Sequence, residues 1–158
     1  MKIIFLDIDG VLNCRASKSR CGLFLGIDAD KVKRLRQIVD ATGAKIVLTS
    51  TWKIGWKKIY KEDQDECANY LDRKLKREGL CIIDKTTDQA WNRGEGIIKW
   101  VGSHNVDTFI MLDDEVFDYK DCGIISRLVK MSYYGDNGGL QDEHVELAIN
   151  LLNTEQND

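Results

Sequence analysis

Two carboxylates, Asp7 and Asp9, follow directly on the unbroken apolar run 3–6. Such a run predicts a strand buried on both faces, and if it continued, the two-residue spacing would point both carboxylates to one face. Like charges beside a buried strand end are costly unless a cation compensates them, and hard carboxylate oxygens suit Mg²⁺. A carboxylate can also act as a nucleophile. Gly10 then allows a sharp turn of the backbone.

A second pair of carboxylates, Asp113 and Asp114, follows the apolar run 108–112. The carboxyl ends of parallel strands meet at one edge of a sheet, where α/β enzymes bind their ligands. We therefore expect the two acidic strand ends to converge on one site.

Hydroxyl side chains end a third apolar run, because Thr49 and Ser50 come directly after residues 45–48. A hydroxyl where a strand meets a helix can bind a phosphate oxygen, helped by the free N–H groups of the helix start. Plain N-capping of a helix by Ser50 or Thr51 would leave the same sequence pattern. Both interpretations stay open at this level.

The elements that must position these residues alternate between strands and helices, which is typical of a parallel α/β sheet. We expect an α/β, Rossmann-like three-layer sandwich with a central, mainly parallel five-stranded sheet, in a single domain over residues 1–158. A loop or short flap is expected over 13–27. The predicted strands are 3–6, 45–48, 80–83, 108–112 and 124–129, and the predicted helices begin near Asp28 (ending at Gly43), 67, 93 and 141.

The segment 52–61 has a period of four in two residue types, aromatic at 52, 56 and 60 and lysine at 53, 57 and 61. On a helix these residues would form one aromatic and one basic stripe. Together such stripes suit single-stranded nucleic acid. An amphipathic helix with a buried aromatic face and a solvated lysine face explains the pattern equally simply, and we favour it.

Composition limits the classes of function. The net charge of −3 argues against a globally basic nucleic-acid binder. No apolar run approaches the roughly 18 residues that a membrane span needs. The five cysteines are odd in number and lack a CxxC pair, which favours reduced thiols in a cytoplasmic protein over a zinc site.

Three stretches, 5–13, 46–50 and 110–114, resemble the first, second and fourth motifs of the haloacid dehalogenase-like (HAD) phosphatases. The resemblance implies that Asp7 is the nucleophile and Asp9 the general acid and base. It implies that Thr49, with Ser50 in reserve, binds the transferring phosphate. It also implies a Mg²⁺ ion held by Asp7, the Asp9 backbone carbonyl and Asp114, with Asp113 as a further candidate ligand.

The third motif of these enzymes is a lysine or arginine, often followed by proline, and the chain has no proline. Arg93 occupies the comparable place, and Lys85 is the alternative. Gly10 and Lys53 are further candidates for substrate binding, because Gly10 follows Asp9 and Lys53 lies four residues after Thr49.

The stretches 49–53, 93–100 and 112–114 are similar to one HAD subgroup, which is associated with Swiss-army-knife RNA repair proteins. The gaps between the motifs are too short for a large cap domain, so we expect an open site. These features imply a phosphomonoester hydrolase that acts through an aspartyl-phosphate, with a phosphorylated substrate such as a polynucleotide 3′ or 5′ end. A small-molecule phosphatase, for example a nucleotidase, and a non-catalytic nucleic-acid-binding module are the alternatives.

Overall fold

The computed structural model of the chain describes residues 1–89 and 91–154. In chain order its regular elements are β1 (Lys2–Leu6), β2 (Arg20–Cys21), β3 (Phe24–Leu25), α1 (Ala29–Thr42), β4 (Lys45–Leu48), α2 (Glu66–Lys76), β5 (Ile82–Lys85), α3 (Arg93–Gly102), β6 (Thr108–Asp113), β7 (Leu128–Lys130) and α4 (Asp142–Asn153). A helix lies between β3 and β4, between β4 and β5, and between β5 and β6, and another follows β7.

The central sheet has the strand order β5-β4-β1-β6-β7, and all four pairings are parallel. The apolar strand β1 lies in the middle, where Leu6 pairs with Leu48 on one side and Leu112 on the other. The next residues stay in line, because Asp7 N–H donates to the carbonyl of Leu112 and Thr49 N–H to that of Leu6, each at 3.0 Å. The ends of β1, β4 and β6, which carry Asp7, Thr49 and Asp113, therefore meet at one edge of the sheet.

Successive side chains of a strand point to opposite sides of the sheet. Helices cover both of these faces. Ile4 and Leu6 pack in a cluster that includes the apolar faces of α1, α2 and α4. Ile3 and Phe5 pack in a second cluster with Ile97 and Trp100 of α3. The expected α/β three-layer sandwich with a mainly parallel five-stranded sheet is confirmed.

Two strand predictions were displaced along the chain. The strand expected over 80–83 is β5, Ile82–Lys85, which places Asp84 and Lys85 in the sheet. The strand expected over 124–129 is reduced to β7, because Ile125–Arg127 forms a 3₁₀ turn before it. Both are the edge strands of the sheet, where half-buried residues give a weaker apolar pattern than β1 or β4.

The prediction of a helix over 52–61 was wrong. A 3₁₀ turn, Thr51–Ile54, ends at Gly55, and Tyr60 has a left-handed φ of 59°. A Cβ at Gly55 would overlap the carboxylate of Asp65, so a larger residue there would displace that side chain. Trp56 is buried in the core, and the Lys61 ammonium lies 4.1 Å from the centre of the Trp56 ring. The period of four in the sequence therefore does not correspond to two helical stripes.

The expected loop over 13–27 contains a small antiparallel hairpin of β2 and β3. The Sγ atoms of Cys21 in β2 and Cys67 in α2 are 3.2 Å apart, so this hairpin lies against the core. Residues 1–89 and 91–154 contain no large cap between the predicted motifs. They also include no helix with the length and apolar character that a membrane crossing requires.

Candidate active site

Three carboxylates gather at the carboxyl edge of the sheet. One oxygen each of Asp7, Asp113 and Asp114 lies within 4.8 Å of the other two. Asp7 and Asp113 are buried and Asp114 is half-buried. Burial, together with the neighbouring charge of Asp113, raises the pKa of Asp7 well above its usual range and that of Asp114 to about 6. Three carboxylates so close together repel one another when they are ionised, so positive charge nearby would stabilise the ionised cluster.

Arg93, the first residue of α3, supplies one positive charge. Its Nη1 lies 3.1 Å from Oδ1 of Asp7 and 2.9 Å from Oδ2 of Asp113. The guanidinium carbon is 4.2 Å from the centre of the Phe117 ring. Burial alone would lower the pKa of Arg93, but Asp7 and Asp113 raise it, so the guanidinium stays charged.

One guanidinium does not balance three carboxylates. A divalent cation bound by oxygen would make up the deficit, and Mg²⁺ prefers carboxylate oxygens. The donor set of Asp7, Asp113 and Asp114 therefore fits this metal. Asp113 has less freedom than Asp114, because its Oδ2 also accepts a hydrogen bond from the Tyr119 hydroxyl at 2.9 Å.

Asp9 has different surroundings from Asp7. Strand β1 ends at Leu6, Asp7 follows in line with it, and Asp9 lies in the turn beyond. The strand does not continue to Asp9, so the two carboxylates do not share a strand face. The exposed Asp9 accepts hydrogen bonds from Asn13 Nδ2 at 2.9 Å and from Trp52 Nε1 at 3.1 Å. These two donors fix the direction of the Asp9 carboxylate.

Asn13 is the residue that joins this turn together. It is fully buried, its Oδ1 accepts from the Gly10 N–H at 2.9 Å, and its Nδ2 also donates to the Gly26 carbonyl at 2.9 Å. The contacts of Asn13 and Trp52 were not expected from the sequence. Trp52 is 43 residues from Asp9, and no local pattern signals such a contact. Asn13 was within the resembling motif but was assigned no role.

Gly10 is required by the packing of Asp114. Its φ of +84° is left-handed, and a Cβ added there would overlap the Asp114 carboxylate. The backbone of the first motif and the side chain of the fourth thus approach each other at this glycine.

The hydroxyls of Thr49 and Ser50 are both buried, but they differ in their contacts. Ser50 Oγ accepts a hydrogen bond from the Trp52 N–H at 3.2 Å and caps the 3₁₀ turn. Thr49 lines a narrow cleft of about 220 Å³ together with Lys53, Trp91 and Arg93. We call this the narrow cleft.

The two candidate lysines have other partners. Lys53 is buried and its ammonium donates to Asp88 at 2.7 Å and to Thr86 at 3.1 Å. Lys85 donates to the carbonyls of Lys53 and Trp56, each at 2.7 Å, and so supports the backbone of that segment. Of the two candidates for the third-motif cation, the structure brings Arg93 to the carboxylates.

Asp9 is one of the residues that line a second, wide cleft of about 500 Å³. Phe24, Leu25, Trp52 and Tyr133 are among the other residues that line it. The site thus has a buried acidic centre, with one opening that contains Arg93 and another that contains Asp9.

The comparisons with known proteins agree with this arrangement. A family model described as the HAD domain in Swiss Army Knife RNA repair proteins matches residues 3–145. The match includes the three strand ends that carry Asp7, Thr49 and Asp113, and it includes Arg93. A search of curated proteins found no match.

Proposed function

The chain belongs to the family of HAD domains in Swiss Army Knife RNA repair proteins, and we propose that it is a Mg²⁺-dependent phosphatase of phosphorylated polynucleotide ends. The family indicates a phosphatase-type hydrolase in the context of RNA repair. The observation that carries the finer proposal is the cluster of Asp7, Asp113 and Asp114 beside Arg93. A carboxylate held next to one cation, with room for a second, is suited to attack a phosphate.

In the first step, an Asp7 carboxylate oxygen attacks the phosphorus of the monoester. The bond from phosphorus to the leaving oxygen breaks, and Asp9 gives that oxygen its proton. In the second step, Asp9 takes a proton from water, the water oxygen attacks the aspartyl-phosphate, and the bond to Asp7 breaks to release phosphate. Two such steps replace one difficult displacement.

The metal would supply charge neutralisation. Mg²⁺, held by Asp7, Asp113 and Asp114, with the Asp9 carbonyl as a further ligand, would offset the repulsion between carboxylates and phosphate. The chain's own cation, Arg93, acts on the same charges. Its Nε is buried and has no hydrogen-bond partner among the described residues, so a phosphoryl oxygen placed beside it would satisfy a donor that is otherwise unpaired.

The narrow cleft is the proposed position of the transferring phosphoryl oxygens. Thr49 offers a hydroxyl and Arg93 a guanidinium in the same wall, and such fixed donors stabilise charge that develops in the transition state. Lys53 adds a positive charge that Asp88 partly offsets. Gly10 acts through the position of Asp114, and Ser50 through the position of Trp52.

The substrate class follows from access. The short β2–β3 hairpin is the only element between residues 7 and 28, and within the described residues no large domain covers the site. This edge of the sheet is therefore open to a phosphate at the end of a large molecule. Together with the family, this favours a polynucleotide end over a free metabolite.

The test is a phosphate-release assay with 3′- and 5′-phosphorylated oligonucleotides and the matching mononucleotides, with Mg²⁺ or with EDTA. We expect turnover of an oligonucleotide end that requires Mg²⁺, and its loss in Asp7→Asn. Asp63→Asn, an exposed carboxylate in a turn, is the control and should behave as the wild type. Faster turnover of mononucleotides would overturn the substrate class, and activity in Asp7→Asn would overturn the mechanism.

A further inference from the structure

Three aromatic residues, Phe24, Trp52 and Tyr133, line the wide cleft beside Asp9, Leu25, Thr51 and Cys67. Phe24 at the hairpin is 68% exposed, and the rings of Trp52 and Tyr133 are half-buried. An aromatic ring left largely in water gains free energy when a flat partner covers it. The cleft therefore has the surface properties of a stacking site.

The rings are mounted on positioned backbone. Trp52 is fixed by its hydrogen bond to Asp9, and Tyr133 packs edge-on against Tyr134 with ring centres 5.2 Å apart. The carbonyl of Tyr133 accepts from the Arg15 N–H at 2.8 Å. The hairpin that carries Phe24 is held by the contact between Cys21 and Cys67. A ligand would thus meet a surface whose ordering cost is already small.

The charge of the wide cleft indicates which part of a substrate could bind there. None of the described residues that line it is a lysine or arginine, and Asp9 adds a negative charge. Phosphate groups would be repelled there, whereas an uncharged planar group would not. The phosphate-binding donors lie instead in the narrow cleft with Arg93.

Asp9 lines the wide cleft, and its role in the proposed reaction indicates which group of the substrate would enter there. Asp9 protonates the leaving oxygen in the proposed reaction, so the group that enters the wide cleft is attached to that oxygen. We infer that the wide cleft is a subsite for the base of the terminal nucleoside, stacked among Phe24, Trp52 and Tyr133. This inference rests on the proposed function and goes beyond it by assigning the site that recognises the leaving nucleoside.

The inference is tested with two phosphorylated oligonucleotides. One carries a base on its terminal nucleoside, and the other lacks this base but is otherwise identical. Base–aromatic stacking is worth about 1–3 kcal/mol, so kcat/KM should favour the end that carries the base by about 5- to 150-fold. Phe24→Ala and Tyr133→Ala should each reduce this ratio towards one. Tyr60→Ala is the matched control, because Tyr60 is 67% exposed but does not line the cleft, and it should keep the wild-type ratio.

A binding measurement separates this inference from the proposed function. The Asp7→Asn variant is titrated with the same two oligonucleotides, and binding is followed by the quenching of tryptophan fluorescence. Tighter binding of the end with the base, reduced by Phe24→Ala, supports the subsite even if the wild type hydrolyses neither. A ratio near one in both turnover and binding overturns the subsite and leaves the phosphatase proposal intact. Stronger binding of a phosphotyrosine peptide than of either oligonucleotide also overturns it.

Discussion

At the scale of residues, the site gives two aspartates two different environments. Asp7 is buried against two further carboxylates and Arg93, whereas Asp9 is exposed and oriented by Asn13 and Trp52. In the proposed reaction, the first environment would hold a carboxylate in place to react with phosphorus. The second would leave a carboxyl group free to exchange protons with the leaving group and with water.

The role of Asp9 predicts a dependence on the leaving group. Asp9→Asn should reduce kcat/KM for an alkyl phosphate by about 10²–10⁴, because the alkoxide needs a proton as it departs. An aryl phosphate, whose leaving group needs little protonation, should lose much less. Steady-state kinetics on both substrates measure the difference, and equal losses would argue against the acid–base role.

Substitutions of the two neighbouring aspartates, Asp113 and Asp114, should have different effects. Asp114→Asn should raise the Mg²⁺ concentration for half-maximal activity by about tenfold or more, because it removes a ligand that has few other partners. Asp113→Asn should in addition lower the free energy of unfolding, since the Asp113 carboxylate binds both Arg93 and Tyr119. A Mg²⁺ titration and urea unfolding give the two quantities. A larger metal effect for Asp113→Asn would exchange the two roles.

At the scale of elements, the strand ends were predictable and the contacts between elements were not. Asp7, Thr49 and Asp113 follow solid apolar runs, and parallel pairing then brings them to one edge without further information. The prediction of a helix over 52–61 was wrong because the residues that produce the period of four have unrelated partners. Trp56 donates to Asp72, and Lys53 donates to Asp88. Gly55 was the one local sign against a helix.

The close approach of Gly10 to Asp114 predicts a difference between two glycine substitutions. Gly10→Ala should lower the free energy of unfolding by about 1–3 kcal/mol from backbone strain, and should also weaken Mg²⁺ activation because Asp114 must move. Gly22→Ala is the matched control, since Gly22 has a φ of +60° with open space around it. It should show strain without the metal effect. Identical Mg²⁺ titrations for the two variants would contradict the proposed contact.

At the scale of the whole molecule, the proposed function depends on an open edge of a small α/β sandwich. The sequence could indicate the fold class, because its buried strands are strongly apolar. It could not indicate the wide cleft, because Phe24, Trp52 and Tyr133 are far apart in the chain and meet only through the fold. The hairpin that contributes Phe24 has strands of two residues, which are too short to give a strand pattern.

The pairing of the lysines limits their part in polymer binding. The Lys61 ammonium lies 3.0 Å from Asp72 and over the ring of Trp56, so it is engaged within the protein. Lys61→Gln should therefore leave the salt dependence of oligonucleotide turnover unchanged. A decrease of about one unit in the slope of log kcat/KM against log salt would instead indicate a lost phosphate contact.

The central claim is that Asp7 becomes covalently phosphorylated. The most direct measurement is a single turnover of an aryl phosphate by Asp9→Asn, stopped with acid and analysed by mass spectrometry of the intact protein and its peptides. Since Asp9→Asn slows the attack by water more than the attack by Asp7, the account predicts one phosphoryl group per chain, located on Asp7. Product release without a phosphorylated protein, or a phosphoryl group on any other residue, would contradict it.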